Sequence, residues 1–271
     1  MEFELRESGL ELVCDHPDFP CDQTNLIWRA AEGLQQLTGC TLGARIEVRK
    51  RIPIGAGLGG GSSNAATALL ALTRLWKLNL APIELFRIGS GLGADVPFFL
   101  LGGTGVGIGR GDEVYPLPDM VAEHMLLVNP GVLVPTRQIY ANLPSELTKA
   151  PVINKMPFSL ATGYACIQRP VKGEIAWRGE LRNDLELPAL ALYPVIGQVK
   201  QRLVELNAAS VLMSGSGSTV FAIFESDADV TRALDSLEPS GWWCAKVRTL
   251  SRAEYQSAVE SHPGVGADAT E

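Results

Sequence analysis

The chain has 271 residues, of which 46% are hydrophobic and 20% are charged, and its formal net charge is −7. This balance is typical of a globular protein of one or two domains and excludes a disordered chain. The negative charge argues against a nucleic-acid partner, because such binding depends on Lys and Arg side chains that neutralise phosphates.

The first half of the chain predicts short strands and amphipathic helices. The segments FELRES and LELVCD have the pattern of two strands joined as a hairpin at Ser8 and Gly9. TNLIWRAAEGLQQLTG predicts a helix capped by Thr24 or Asn25 and ended by Gly39. ARIEVRKRIPIG alternates as a strand and leads into a glycine-rich loop, after which SSNAATALLALTRLW and APIELFRIGSGLG predict helices. The next stretch, ADVPFFLLGGTGVGIGRGDEVYPLP, is expected to be rich in strands.

The second half predicts helices packed on one face of an antiparallel sheet. HMLLVNP predicts a buried strand and PTRQIYANL a short helix, whereas residues 145–177 show no clear period. A helix (PVIGQVKQRLVELNA), a strand pair (SVLMSGSGSTVFAIF), a helix (DADVTRALDSLE) and a strand (WWCAKVRTL) follow. We therefore expect an α+β protein with domains at residues 1–122 and 123–271, and a disordered tail after about residue 262.

The cysteines and histidines predict neither a disulfide framework nor a zinc site, because the cysteine count is odd and the spacing CxxC is absent. The opening residues lack a signal-peptide pattern, and the uncharged run 52–73 contains too many glycines and serines to span a bilayer. We expect a cytoplasmic protein without a membrane partner. The cysteines are Cys14, Cys21, Cys40, Cys166 and Cys244.

The loop PIGAGLGGGSSNAA has five glycines in seven positions, 55–61, between a predicted strand and a predicted helix. That arrangement favours phosphate binding by the free N–H groups and dipole of the helix. A tight turn alone would need only one or two glycines. The loop is not a Walker A motif, because Ser62 follows Gly61 and no lysine is present. GAGLGG matches GxGxxG, but the acidic residue that a dinucleotide site needs about 20 residues later is missing.

Several segments resemble the GHMP small-molecule kinases over nearly the whole chain. PIGAGLGGGSSNAA resembles the second signature motif of the family, and LMSGSGSTVFAIF resembles the third. GLGADVPFFLLGGTGVGIGRGDEVYPL, NPGVLVPTRQIY and RNDLELPA are similar to the members that phosphorylate diphosphocytidyl-methylerythritol. The resemblance implies a two-domain α+β GHMP-kinase fold with its active site in the cleft between the domains. It implies transfer of the γ-phosphoryl group of ATP to the 2-hydroxyl of CDP-methylerythritol, with Mg²⁺.

The resemblance also implies roles for particular residues. Asp95 matches the catalytic base, and a carboxylate beside an acceptor hydroxyl can take its proton. Thr136, Tyr140, Gly215 and Gly217 match positions that bind substrate, while the metal ligands stay unidentified. The ATP-binding positions are Pro53, Ile54, Gly55, Ala56, Gly57, Leu58, Gly59, Gly60, Gly61, Ser62 and Ser63. Replacing Gly59 by aspartate is expected to place a charged side chain where the phosphate would bind, which abolishes ATP binding and leaves the fold intact.

The residues by themselves leave structural alternatives open. Asp95 also fits a turn aspartate that binds local backbone, and Ser62 or Ser63 could simply cap a helix. The glycines Gly215 and Gly217 also fit an ordinary hairpin turn. Tyr140 fits a core tyrosine equally well, and Trp242 and Trp243 are expected to pack at the edge of the second domain.

The opening segment MEFELRESGLELVCDHPDFP departs from the family pattern. The first signature motif of the family has the form P-x-K-x-N, followed later by G-Y-H, and neither is found there. We expect the first strands of the N-terminal domain to be absent, and the chain to be poorly stable and nearly inactive. Two alternatives follow: an inactive nucleotide-binding homologue, and another GHMP kinase such as a homoserine or mevalonate kinase.

Overall fold

The computed structural model describes residues 1–144 and 181–261, which form two compact units. Of the described residues, the first unit contains Met1–Pro53, Gly59–Leu117 and 251–261; the second contains Ile54–Leu58, 118–144 and 181–250. Residues 54–58 group with the second unit, and the last described helix groups with the first. The segment 145–177 and the predicted tail after residue 262 lie outside the described residues.

A three-stranded sheet opens the first unit. It consists of β1 (Glu2–Arg6), β2 (Leu10–Cys14) and β3 (Gly43–Val48), in the order β1-β3-β2. The predicted hairpin is wrong, because β3 lies between the first two strands, antiparallel to β1 and parallel to β2. The Ala44 N–H donates to Gly9 O at 3.0 Å, and a Cβ atom on Gly43 would lie 2.0 Å from that oxygen. The central strand therefore starts directly against the link between its two neighbours.

Four helices complete the core of the first unit. They are α1 (Leu26–Thr38), α2 (Gly60–Leu75), α3 (Pro82–Leu92) and α4 (Val96–Leu101). The Asn25 side chain caps α1 by accepting from Ile27 N–H, and Gly39 ends the helix at φ 70°, as predicted. The expectation of strands in VPFFLL is wrong, since Pro97 lies in the first turn of a helix that ends at Gly102. Strands β4 (Gly105–Ile108) and β5 (Glu113–Pro116) then form an antiparallel pair.

The second unit is an antiparallel sheet covered by helices on one face. Strands β6 (Met125–Asn129), β7 (Ser210–Met213), β8 (Val220–Ile223) and β9 (Trp243–Val247) have the order β7-β8-β6-β9. Its described helices include α5 (Thr136–Ala141), α6 (Glu186–Leu192), α7 (Pro194–Glu205) and α8 (Asp227–Leu237). The predicted α+β arrangement is confirmed. The core contains Leu126, Val128, Val220 and Ala222 of the sheet with Ile196, Val199, Leu203, Val230, Ala233 and Leu237 of the helices.

Helix α9 (Arg252–Ser261) returns to the first unit, and the sequence analysis did not predict it. The Tyr255 hydroxyl donates to Phe99 O in α4, and Arg252 Nη2 donates to Thr104 O at 2.6 Å. Arg74 Nη1 of α2 donates to Val259 O at 2.7 Å. Helix α9 therefore supports α4, which begins directly after Asp95. None of the described helices is long and apolar enough to cross a membrane.

Candidate active site

The two glycine-rich motifs contact each other within the second unit. Ser214 Oγ donates to Gly57 O at 2.8 Å, and Thr219 N–H donates to Ala56 O at 3.1 Å. A Cβ atom on Gly57, whose φ is +74°, would lie 2.3 Å from Ser214 O. Only glycine at position 57 allows the two backbones to approach this closely. The structure thus brings together residues 54–58 and the loop 214–219, which are far apart in the sequence.

Buried hydrogen bonds to Asn129 and Val132 fix the loop 214–219. Asn129 is 3% exposed, and its Nδ2 donates to Thr219 Oγ1 at 2.9 Å and to Ser218 Oγ at 3.2 Å. The Ser218 hydroxyl in turn donates to Val132 O at 2.6 Å. The loop does connect two antiparallel strands, but this network and its contact with Gly57 distinguish it from an ordinary hairpin turn.

Helix α5 presents Thr136 and Tyr140 on one face, because residues four apart lie one above the other. Thr136 Oγ1 lies 2.8 Å from Ser216 Oγ, so this side chain joins the glycine loop. Tyr140 is 56% exposed, which excludes the core alternative, whereas Ile139 between them is fully buried. The structure therefore offers an exposed aromatic ring one helical turn from a hydroxyl of the site.

Helix α2 of the first unit begins without a cap from any side chain. Gly59 is its N-cap residue, so Ser62 and Ser63 lie inside the first turn and the capping alternative is wrong. Among the described residues, no acceptor is found for the N–H groups of Gly60, Gly61 and Ser62. Such free donors, with the helix dipole, form an anion-binding site.

The two serines of this turn differ in their bonding. Ser63 Oγ donates to Gly60 O at 3.0 Å and is therefore occupied within its own helix. The Ser62 hydroxyl has no hydrogen-bond partner in the described part of the chain. Of the two, Ser62 is the one that is available to a ligand.

The glycines of the turn differ in the space around them. A Cβ atom on Gly59 would lie 2.6 Å from Cζ of Phe99, so an aspartate there would collide with a ring. The expectation that such a variant leaves the fold intact is therefore wrong. A Cβ atom on Gly61 would instead have Leu26 Cδ1 as its nearest neighbour, at 3.8 Å, which is an ordinary contact.

Lys50 also lies at the start of α2, and the sequence analysis did not identify it. Its N–H donates to Asp15 Oδ1 at 2.9 Å, and both residues follow the ends of parallel strands. Its Nζ lies 3.0 Å from the position that a Cβ atom on Gly60 would take. Burial lowers the pKa of the Lys50 amine, while the nearby Cys14 thiol opposes the shift. No acidic partner of Nζ is found among residues 1–144 and 181–261. In the sequence, the signal that could have identified Lys50 is its position just before the glycine-rich loop, in VRKRIPIG.

Asp95 occupies the N-cap position of α4 but does not cap it. One reason is chemical: Pro97, two residues later, has no N–H group to donate. Asp95 is exposed, and its carboxylate has no hydrogen-bond partner among the described residues. The turn-aspartate alternative therefore lacks the local bonds that it requires. The carboxylate is available to a ligand.

The comparisons place both halves of the chain with one family. Residues 25–103 match the model of the GHMP kinases N terminal domain, and residues 171–241 match that of the GHMP kinases C terminal domain. The chain is 40% identical over 243 residues to the 4-diphosphocytidyl-2-C-methyl-D-erythritol kinase of Syntrophus aciditrophicus (strain SB), covering 90% of this chain and 83% of the relative.

Solved structures agree. A 4-(cytidine 5'-diphospho)-2C-methyl-D-erythritol kinase is similar with a TM-score of 0.70 and 34% identity, over 92% of this chain and 85% of that one. Homoserine kinase from Cytophaga hutchinsonii has a TM-score of 0.67 at 19% identity, over 92% and 84% of the two chains. The second likeness concerns the fold alone.

Proposed function

The chain belongs to the GHMP kinases, among the 4-diphosphocytidyl-2-C-methyl-D-erythritol kinases, and from this premise we propose that it transfers the γ-phosphoryl group of ATP to the 2-hydroxyl of that substrate. The reaction belongs to isoprenoid precursor synthesis. The observation that carries the proposal is the uncapped, glycine-lined start of α2, which offers free N–H groups to a phosphate.

The first part of the proposal concerns the ATP phosphates. The N–H groups of Gly60, Gly61 and Ser62 bind them, and the Ser62 hydroxyl adds a further donor. The Lys50 ammonium supplies positive charge beside the same turn. Phosphoryl transfer demands chiefly positioning and stabilisation of charge, which these groups provide. A bound phosphate would also favour the protonated form of Lys50 against the effect of its burial.

The second part concerns the acceptor. Asp95 orients the 2-hydroxyl and takes its proton at a carboxylate oxygen as the phosphoryl group arrives. Tyr140 stacks on the cytosine ring, and Thr136 contacts the substrate beside Ser216. The exposure of Tyr140 and the absence of local bonds to Asp95 support these roles.

Magnesium would accompany ATP and neutralise charge on its phosphates. Among the described residues there is no group of three His, Cys, Asp or Glu side chains that could build a protein cage. Mg²⁺ needs none, since it keeps most of its ligands as water and substrate phosphates and takes only one or two protein oxygens. The unoccupied oxygens of Ser62 and Asp95 have the hard-ligand chemistry that suits it.

The free thiols of Cys14, Cys21, Cys40 and Cys244 fit our proposal that the protein works in the reducing cytoplasm.

A panel of acceptors tests the proposal. ADP release is measured with ATP and, in separate reactions, CDP-methylerythritol, mevalonate and homoserine. We expect release above the acceptor-free background, at a low rate, only with CDP-methylerythritol. Release with another acceptor would assign the chain to a different GHMP activity. Binding of ATP without release for any acceptor would support a binding protein.

A further inference from the structure

The segment Asn183–Glu186 binds both the carbonyl and the N–H group of Met213. Asn183 Nδ2 donates to Met213 O at 2.9 Å and also to Gly215 O at 2.7 Å. Glu186 Oε1 accepts the N–H of Met213 at 2.7 Å. Three hydrogen bonds from one short segment thus fix the point at which β7 enters the glycine loop. We refer to Asn183 and Glu186 together as the clamp.

Both side chains of the clamp are themselves fixed. Asn183 Oδ1 accepts the N–H of Leu185 at 3.0 Å, which orients the amide so that its NH₂ group faces the loop. Lys200 Nζ lies 2.6 Å from both carboxylate oxygens of Glu186, and the two side chains are only 21% and 15% exposed. An ordered donor and an ordered acceptor therefore meet the backbone of the loop.

The position of the loop determines the position of its neighbour. Directly after Met213, the Ser214 hydroxyl bonds to Gly57 O, and Thr219 N–H bonds to Ala56 O. Gly57 lies directly against this backbone, since a Cβ atom built on it would be 2.3 Å from Ser214 O. A shift at Met213 or Gly215 is therefore transmitted to residues 56 and 57.

We propose that Asn183 is a positioning residue for phosphoryl transfer, which sets the backbone of the glycine loop 54–58 through the loop 214–219. The inference rests on the proposed function, because it assumes that residues 54–58 bind the nucleotide. Asn183 touches no reacting atom and acts through backbone carbonyls. A misplacement of about 1 Å at such a site can lower a rate by about 100-fold.

The test replaces Asn183 by aspartate, which has the same shape but loses the two donated bonds. At about pH 8 we expect kcat/KM for ATP to fall about 10- to 100-fold. Two carbonyl oxygens facing the new aspartate favour its protonated form, while the Leu185 N–H favours the charged form. The protonated form donates one bond again. The deficit relative to wild type should therefore narrow as the pH falls towards about 6. Asn183→Ala should show no such recovery.

The control is Val230→Ala, which removes buried volume from α8, an element of the same unit outside both loops. Amide hydrogen exchange at residues 54–58 is measured beside activity. We expect faster exchange there in Asn183→Asp and unchanged exchange in Val230→Ala. If Asn183→Asp matched Val230→Ala in exchange and in pH profile, the clamp would be merely structural and the inference overturned. If wild type released no ADP with any acceptor, the proposed function would fail, and the exchange data would still decide on the clamp.

Discussion

Replacing Gly61 by aspartate should stabilise the fold and weaken ATP binding, two effects of opposite sign at one position. Gly61 lies in the first turn of α2, and a Cβ atom there meets nothing closer than Leu26 Cδ1 at 3.8 Å. The new carboxylate would lie among the free N–H groups of the turn. There it would occupy the place that we propose for phosphate.

The structure allows both magnitudes to be worked out. Replacing a helical glycine by aspartate gains only about 0.3 kcal/mol, because aspartate has almost the lowest helix propensity of the ordinary residues. An acidic side chain at a helix N-terminus gains a further amount of about 0.3–1 kcal/mol. About 1 kcal/mol raises the melting temperature by about 2–4 °C in a protein of this size. Two like charges about 4 Å apart repel by about 4 kcal/mol near a protein surface, before screening by salt. An affinity loss of about 100-fold, or about 2.7 kcal/mol, is therefore expected.

The assay pairs Gly61→Asp with Gly61→Asn, which has the same shape without the charge. Thermal melts give stability, and equilibrium titration of a fluorescent ATP analogue gives affinity. We expect Gly61→Asn to bind far better than Gly61→Asp while both melt no lower than wild type. Equal affinities of the two variants would refute the reasoning, because the charge would then be remote from the phosphates.

Substitutions at three other positions test the site. Asp95→Asn should lower turnover about 10²- to 10⁴-fold and leave ATP affinity unchanged. The control, Asp235→Asn at an exposed position, should match wild type. A loss of turnover smaller than about tenfold in Asp95→Asn would contradict the general-base role. Because the Lys50 pKa is lowered on folding, its protonated amine opposes folding below pH 10.5. Lys50→Met should therefore raise the melting temperature at pH 7 yet weaken ATP binding. The affinity of the wild type for ATP should fall as the pH rises towards 10.5, because Lys50 loses its charge. Lys50→Arg should remove this pH dependence. A wild-type affinity that does not change with pH would contradict the role of Lys50 in binding phosphate. Tyr140→Ala should raise KM for the cytidyl substrate about tenfold, since stacking on a base contributes about 1–3 kcal/mol. KM for ATP and the melting temperature should stay unchanged. An altered melting temperature would indicate that Tyr140 packs against the protein instead.

The elements with strong local signals could be predicted from the sequence. Helix α1 has its cap at Asn25, its stop at Gly39 and a regular apolar face between them, so all levels of the pattern agree. The prediction of a hairpin between β1 and β2 was wrong because the partner of β1 is β3, which lies about 40 residues later. Pairing between strands so far apart in the sequence has no local sequence signal. In VPFFLL, apolar and aromatic residues favoured strand, while Pro97 in the first turn and packing against α2 and α3 produced a helix.

The candidate site was predictable only where a motif marked it. The glycine loop and Asp95 stand in recognisable segments, whereas the role of Lys50 depends on the parallel ends of β2 and β3. The bonds from Asn183 to Met213 and Gly215 join residues about 30 positions apart. No spacing rule relates such positions, so only the fold could place them together.

The proposed reaction is tested most directly by ³¹P NMR of the chain incubated with ATP, Mg²⁺ and CDP-methylerythritol. A single new phosphomonoester signal should appear and grow one for one with ADP, while inorganic phosphate stays at the level of the acceptor-free sample. Asp95→Asn should form the same signal far more slowly. ADP accompanied by inorganic phosphate alone would contradict transfer to the acceptor, and unchanged ATP beside measurable binding would show that the chain binds the nucleotide without acting on it.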